Sequence, residues 1–158
     1  MEAVRSIHEY RPDVHLYIGG IYEDSSYKSK VDACRDYVTY LGWIRGEEKE
    51  KYLRKSGILV LPSYYEGFPV SIIEAMLREN VVIASEVGGI PDIIDRDKNG
   101  ILIPAKDAKA LENAIYRVLE DNRFAQELGE NGRKTVLEKY SVERNVDRLV
   151  DLYKEFVS

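Results

Sequence analysis

The sequence predicts an α/β fold, a Rossmann-like doubly wound parallel sheet flanked by helices. Three observations carry this reading. Short apolar runs alternate with helical patterns along the chain. The runs are continuous rather than alternately apolar and polar, as expected for strands covered on both faces. They end at glycine or proline, residues that stop a strand and start a turn.

The elements follow in order. Residues 2–10 read as a helix, and 14–18 as a strand stopped by Gly19-Gly20. A helix over 24–36 leads to a second strand at 38–41, which ends at Gly42. Residues 46–56 read as a helix, with Tyr52 and Leu53 among many charges. The third strand, 58–61, stops at Pro62-Ser63 and gives way to a helix-like run over 72–77. The fourth strand, 81–84, precedes Gly88-Gly89, and the fifth, 101–103, lies between the Asn99-Gly100 turn and Pro104. Asp107 can cap a helix bearing Leu111, Ala114, Ile115, Val118 and Leu119, the stripe of a helix lying on a sheet. Phe124, Leu128, Val136 and Leu137 mark another helix. Ser141 can cap a last one, with Val142, Val146, Leu149, Val150, Tyr153 and Phe156 on one side.

Bulk properties narrow the function. A length of 158 residues fits one domain, spanning 1–158. The net charge is -5, from 23 basic and 28 acidic residues, and no basic block stands out, which disfavours nucleic acid as a partner. Cys34 is the only cysteine, so no internal disulfide forms and a reducing compartment fits. No run approaches the ~20 apolar residues of a membrane span, and residues 1–5 do not open a signal peptide. A cytoplasmic setting is the expectation. His8 and His15 have no Cys or Asp at metal-ligand spacing, so no metal is expected. Cys34 reads as a small packed residue and Tyr64-Tyr65 as a pair packing at a strand end.

The chemistry concentrates between the third strand and the next helix, over Glu66-Gly67-Phe68-Pro69-Val70-Ser71-Ile72-Ile73-Glu74. In a doubly wound sheet this corner faces the ligand crevice, where Gly19, Gly42 and Gly88-Gly89 also gather. Ser71 and Glu74 have capping-box spacing. The structural reading makes Glu74 a cap and Glu66 a solvated acid. The functional reading uses both: open N–H groups at Val70, Ser71 and Ile72 suit a phosphate. A carboxylate on either side suits the vicinal hydroxyls of ribose or a hexose. Together they form a receptor for a sugar–diphosphate–nucleoside.

The segment from Leu61 to Met76 resembles the signature of the family 4 retaining glycosyltransferases, two-domain enzymes of the GT-B fold whose motif is two glutamates separated by seven residues. Tyr40-Leu41-Gly42-Trp43-Ile44, residues 82–92, residues 99–104 and Tyr140-Ser141-Val142-Glu143 match further segments in order. Nearly the whole chain resembles the family's C-terminal, donor-binding domain. The resemblance implies that Glu74 bonds the nucleotide ribose. It implies that Glu66, the catalytic candidate, holds donor-sugar hydroxyls near the reaction centre. Backbone amides around Gly67, Phe68, Val70 and Ser71 contact sugar and phosphate, and Gly42 and Trp43 line the base pocket. A buried core indole is the structural alternative for Trp43. Gly19-Gly20 lets backbone approach the diphosphate, although a plain turn is the commoner meaning of such a pair. The donor is a nucleotide-diphosphate sugar and no metal or other cofactor is implied.

Three departures stand out. Asp92 replaces a usual glutamate, and Glu79-Asn80-Val81 stands where the family often has Gly-x-Pro. The family's first strand, its basic pair and its N-terminal acceptor domain have no counterpart in the chain, so a fragment or truncation is expected. That strand would lie centrally, between 14–18 and 58–61, and the sheet is expected to close the gap or borrow a strand. The partners implied are the donor, the absent acceptor domain and, for the whole enzyme, a peripheral membrane contact in polysaccharide biosynthesis. The competing readings are a non-catalytic assembly module of the same fold and a glycosidase using Glu66 and Glu74 as its acid pair. A dinucleotide oxidoreductase is disfavoured, because Gly19-Gly20-Ile21-Tyr22-Glu23 lacks Gly-x-Gly-x-x-Gly.

Overall fold

Every strand pairs parallel with its neighbour in a computed structural model that describes residues 2–21, 24, 26–141, 144, 146, 149–151, 153 and 154. The order is α1 (Glu2–Tyr10), β1 (Leu16–Gly19), α2 (Ser26–Asp32), β2 (Val38–Gly42), α3 (Gly46–Lys55), β3 (Ile58–Leu61), α4 (Val70–Met76), β4 (Val81–Ser85), α5 (Ile90–Ile93), β5 (Ile101–Ile103), α6 (Ala108–Glu120) and α7 (Asn122–Lys139). The β-α alternation forces the parallel arrangement, since each strand is reached by a helical crossover.

The continuous apolar runs are explained by the two faces they serve. In β4, Val82 and Ala84 join one core cluster with Ile72, Met76 and Val136, while Val81 and Ile83 join another with Ile7, Ile115 and Leu128. In β5, Leu102 goes with the first cluster and Ile101 and Ile103 with the second. Side chains therefore do alternate, but both faces are covered: α4, α5 and Val136 of α7 supply one layer, α1, α6 and Leu128 of α7 the other. All five residues of β4 are buried, as befits the centre of a three-stranded sheet. A third cluster, Val31, Cys34 and Val38 with Leu16 and Ile18, lies under β1 and β2.

Helix ends follow the sequence. Asp107 Oδ1 accepts from Ala110 N–H at 2.8 Å, and Asp121 Oδ1 from Phe124 N–H at 2.9 Å. The predicted helix over 24–36 is shorter. It stops at Asp32, and Cys34 turns inward, its carbonyl accepting from Val38 N–H at 2.9 Å. Ser141 Oγ accepts from Arg144 N–H at 3.3 Å, the cap expected of the last helix. Val142 and Phe156 of that helix lie outside the described residues, and Val146, Leu149, Val150 and Tyr153 are exposed. The Glu79 departure has a backbone cost, because Glu79 takes φ 61°, a left-handed conformation that glycine adopts freely. Asn80 next to it is buried and donates to Leu53 O at 2.8 Å, tying the α3 end to β4.

The sheet corrects one expectation. It neither closes the gap nor borrows a strand among the described residues: β1–β2 form one sheet and β3–β4–β5 another. Residues 2–10 are helical, so they do not fill the gap. The edges are held in place by other packing. Ser6 of α1 donates to Glu112 of α6 at 2.9 Å, and Tyr116 of α6 donates to Ser6 O at 3.1 Å. Tyr17 of β1 packs on Tyr52 of α3, ring centroids 5.1 Å apart, and accepts from Lys55. Sliding β1 away from α3 would break the Tyr17 contacts.

Candidate functional site

The loop between β3 and α4 is shaped by backbone contacts that its own sequence does not announce. Gly89 N–H donates to Glu66 O at 3.2 Å. A Cβ on Gly88 would stand 1.8 Å from Glu66 O, and one on Gly89 would stand 2.2 Å from Gly67 O. Gly88 also has φ 53°. The turn after β4 thus lies flush against the Glu66–Gly67 peptides, an approach only glycine allows. Ser63 Oγ donates to Glu66 Oε1 at 2.8 Å, which fixes one oxygen of this half-buried carboxylate. Phe68 is 54% exposed and leans on Tyr140, centroids 5.7 Å apart, while Tyr140 Oη donates to Asp92 O at 3.0 Å.

Helix α4 starts two residues earlier than a capping box needs. Pro69 is the N-cap and no side chain caps the helix. Ser71 is therefore inside the first turn and Glu74 in the second, so the expected Ser71–Glu74 box does not form. The side chain of Glu74 instead pairs with Lys49 of α3. Glu74 Oε2 is sealed from solvent without a well-formed hydrogen bond, while the side chain as a whole is 37% exposed. The close ion pair is the contact that counts for this oxygen. Arg78 adds a second brace, donating to the Glu74 carbonyl and pairing with Glu50 of α3. Val70 is 58% exposed and Ser71 half-buried at the uncapped end.

Gly19, Gly42 and Trp43 form a separate group. Gly19 pairs with Gly42 across an irregular step in the β1–β2 ladder, and Gly20 N–H donates to Gly42 O at 2.8 Å. Gly42 has φ 69°, the conformation that lets the strand leave the ladder there. Trp43 is 69% exposed, so the buried-indole alternative is wrong. Tyr64 and Tyr65 are 71% and 81% exposed rather than packed, with Lys106 Nζ 5.1 Å from the Tyr64 ring centroid. His8 stacks on Tyr37 at 4.2 Å, His15 meets Thr39 Oγ1 at 2.8 Å, and no group of metal-ligating side chains occurs among the described residues.

The structure thus brings Glu66, Gly67 and Gly88-Gly89 together, and it ties Glu74 to the segment after Trp43 through α3. Lys49 and Ser63 are the residues whose local roles the sequence left unread, while Gly88-Gly89, read as a turn at the crevice, proves to support the Glu66–Gly67 backbone. Ser63 stands at a Ser-x-x-Glu spacing from Glu66 that could have signalled the bond. Lys49 lies in the charged run Glu47-Glu48-Lys49-Glu50-Lys51, where nothing distinguishes it. One surface depression is lined by Glu86, Asp92, Arg96, Asn99 and Lys139, and none of the predicted site residues borders it. No helix among the described residues is long and apolar enough to cross a membrane.

Comparison with known proteins bears on this arrangement. The family model described as glycosyl transferases group 1 matches residues 1–135. An uncharacterised glycosyltransferase of Methanocaldococcus jannaschii is 34% identical over 132 residues, 84% of this chain and 33% of its own length. The crystal structure of the C-terminal domain of a group 1 glycosyl transferase from Francisella tularensis superposes with TM-score 0.79 at 27% identity, over 89% of this chain and 77% of that one. Anabaena HepE, solved with UDP, superposes with TM-score 0.85 at 18% identity, over 97% of this chain and 44% of that one, a likeness of fold. The chain spans about a third of the length of the curated relative it matches.

Proposed function

The chain belongs to the group 1 glycosyl transferases and has the fold of their GT-B C-terminal domain, and from that premise we propose that it is the donor-binding part of a retaining enzyme. In this reading residues 1–158 are one nucleotide-sugar-binding domain. The whole enzyme moves a sugar from a nucleotide-diphosphate donor to a glycan, lipid or small-molecule acceptor held by an N-terminal domain. The observation that carries the reading is the disposition of two carboxylates about an uncapped helix end. Glu66 lies before Pro69 with one oxygen fixed by Ser63, and Glu74 lies on the second turn beyond it.

Each part then has a chemical task. Transfer breaks the bond between the anomeric carbon and a diphosphate oxygen, so negative charge builds on the diphosphate. The open amides of Val70 and Ser71 face that charge without needing to reorganise. Glu66 accepts from donor-sugar hydroxyls, Glu74 from the ribose, and Trp43 offers a face for the base. Anabaena HepE was solved with UDP, and a nucleoside diphosphate is the ligand class proposed for this chain. No metal is assigned to the reaction. The chain alone binds donor weakly and turns over poorly, because acceptor-side groups lie outside it.

Calorimetric titration with uridine- and guanosine-diphosphate sugars tests this. Saturable binding that Glu74→Ala abolishes supports the reading. A folded chain that binds neither at millimolar concentration refutes it and favours a non-catalytic assembly module.

A further inference from the structure

The two oxygens of Glu74 are not equivalent. Oε2 is sealed from solvent beneath the Lys49 ammonium, yet more than a third of the side chain remains exposed. The exposed part therefore excludes Oε2. Lys49 is itself only 31% exposed, and it projects from the helix that directly follows Gly42 and Trp43. The same helix grips the Glu74 backbone as well, through Glu50 and Arg78. Glu74 is thus held from α3 directly at its carboxylate and, through Arg78, at its carbonyl.

We propose that Lys49 is the positioning residue for Glu74, fixing Oε2 so that Oε1 is presented to the ribose hydroxyls of a nucleoside diphosphate and sets a preference for ribonucleotides over deoxyribonucleotides. This rests on the donor-binding reading above. The physics is direct. An ionised carboxylate only accepts hydrogen bonds, and a cation at one oxygen limits its torsional freedom. A vicinal diol then meets one fixed oxygen rather than a rotating pair, and a ligand without a ribose hydroxyl leaves that acceptor unpaired. A partly exposed ion pair adds little to folding stability, so stability alone does not account for the brace.

The experiment uses the full 158-residue chain and four probes: UDP, GDP and their 2′-deoxy forms. The wild-type chain should favour the ribo form by about tenfold, the worth of one hydrogen bond to a charged group. Glu74→Gln should remove that preference. Lys49→Met should cut it to within about threefold, with the thermal midpoint unchanged, and Lys49→Arg should restore it. In the Glu74→Gln background, Lys49→Met should have no further effect, because its action passes through that carboxylate. If Glu74→Gln keeps the preference, or the wild-type chain shows none, the ribose reading of Glu74 fails and the proposal fails with it. If Glu74→Gln loses the preference while Lys49→Met keeps it, the donor reading stands and Lys49 is overturned. A lowered midpoint in Lys49→Met with the preference intact assigns Lys49 a structural role only, which also overturns the proposal.

Discussion

The Cα of Gly88 faces the carbonyl oxygen of Glu66 so closely that a Cβ there would lie 1.8 Å from it. The catalytic candidate is therefore held by a turn more than twenty positions downstream, at the exit of the neighbouring strand. Gly88→Ala must displace the Glu66 peptide and also strain a left-handed residue at φ 53°. The strain alone costs about 1 kcal/mol, and the displacement adds to it. The expected outcome is a lower unfolding midpoint together with loss of donor binding. Gly57→Ala, where a Cβ meets nothing within 4 Å, should bind as the wild type does. Thermal unfolding and titration of both variants check this.

Ser63 fixes one oxygen of Glu66 at 2.8 Å. Ser63→Ala should leave the bare nucleoside diphosphate bound as before and weaken the nucleotide sugar by about threefold to tenfold, the worth of one net hydrogen bond. Glu66→Gln should narrow the same gap further. Equal weakening of both ligands would show that Ser63 acts on the loop as a whole and not on the sugar subsite.

Trp43 is the only tryptophan, so the intrinsic indole emission reports this position alone. A nucleoside diphosphate should quench it saturably. Trp43→Ala should weaken binding by about 1–3 kcal/mol, the usual value of a base–aromatic stack. Its folding stability should change by under about 0.5 kcal/mol, since the side chain is exposed. Emission that ignores the nucleotide would remove Trp43 from the base pocket.

Glu112 gives the α1–α6 contact a pH dependence. Lys109 and then Ser6 hold its carboxyl below the usual glutamate range. A depressed folded value means that the folded state binds fewer protons than the unfolded one. The stabilisation is complete above the ordinary value of about 4.3 and fades as pH falls through the lower folded value. Glu112→Gln should therefore lower the unfolding midpoint at pH 7 and matter progressively less below pH ~4. A difference that stays constant from pH 7 down to pH ~2.5 would assign the effect to packing rather than charge.

Much of this was legible from the chain. The strand at 58–61 and the helix at 2–10 match β3 and α1, because a run of apolar residues or a 3.6-residue stripe is local information. The Glu66 to Glu74 segment was legible as a corner for the same reason. What escaped was set by distant residues. Lys49 is one cation among many until α3 packs beside α4 and chooses it for Glu74. The Ser71–Glu74 spacing suggested a cap, but Pro69 took the N-cap position and moved Glu74 round to face α3. Gly88-Gly89 read as a turn and proved to be the surface on which the Glu66 loop rests. The resemblance marked where a strand is missing, between 14–18 and 58–61, but not that the gap stays open, because each strand looks the same whether or not its edge is paired.

That division also has a dynamic meaning. Backbone amides in β1 and β2 are tied to each other and not, among the described residues, to β3, so the opening energies of the two strand groups need not be equal. Amide exchange should be faster over residues 16–19 and 38–42 than over 81–85, whose five residues are all buried. A nucleotide that touches Trp43 on one unit and Glu74 on the other bridges them, and its largest effect on exchange should fall on the less protected unit. On the proposed reading, a bound nucleotide acts as a structural rung between two sheets that share no strand pairing among the described residues.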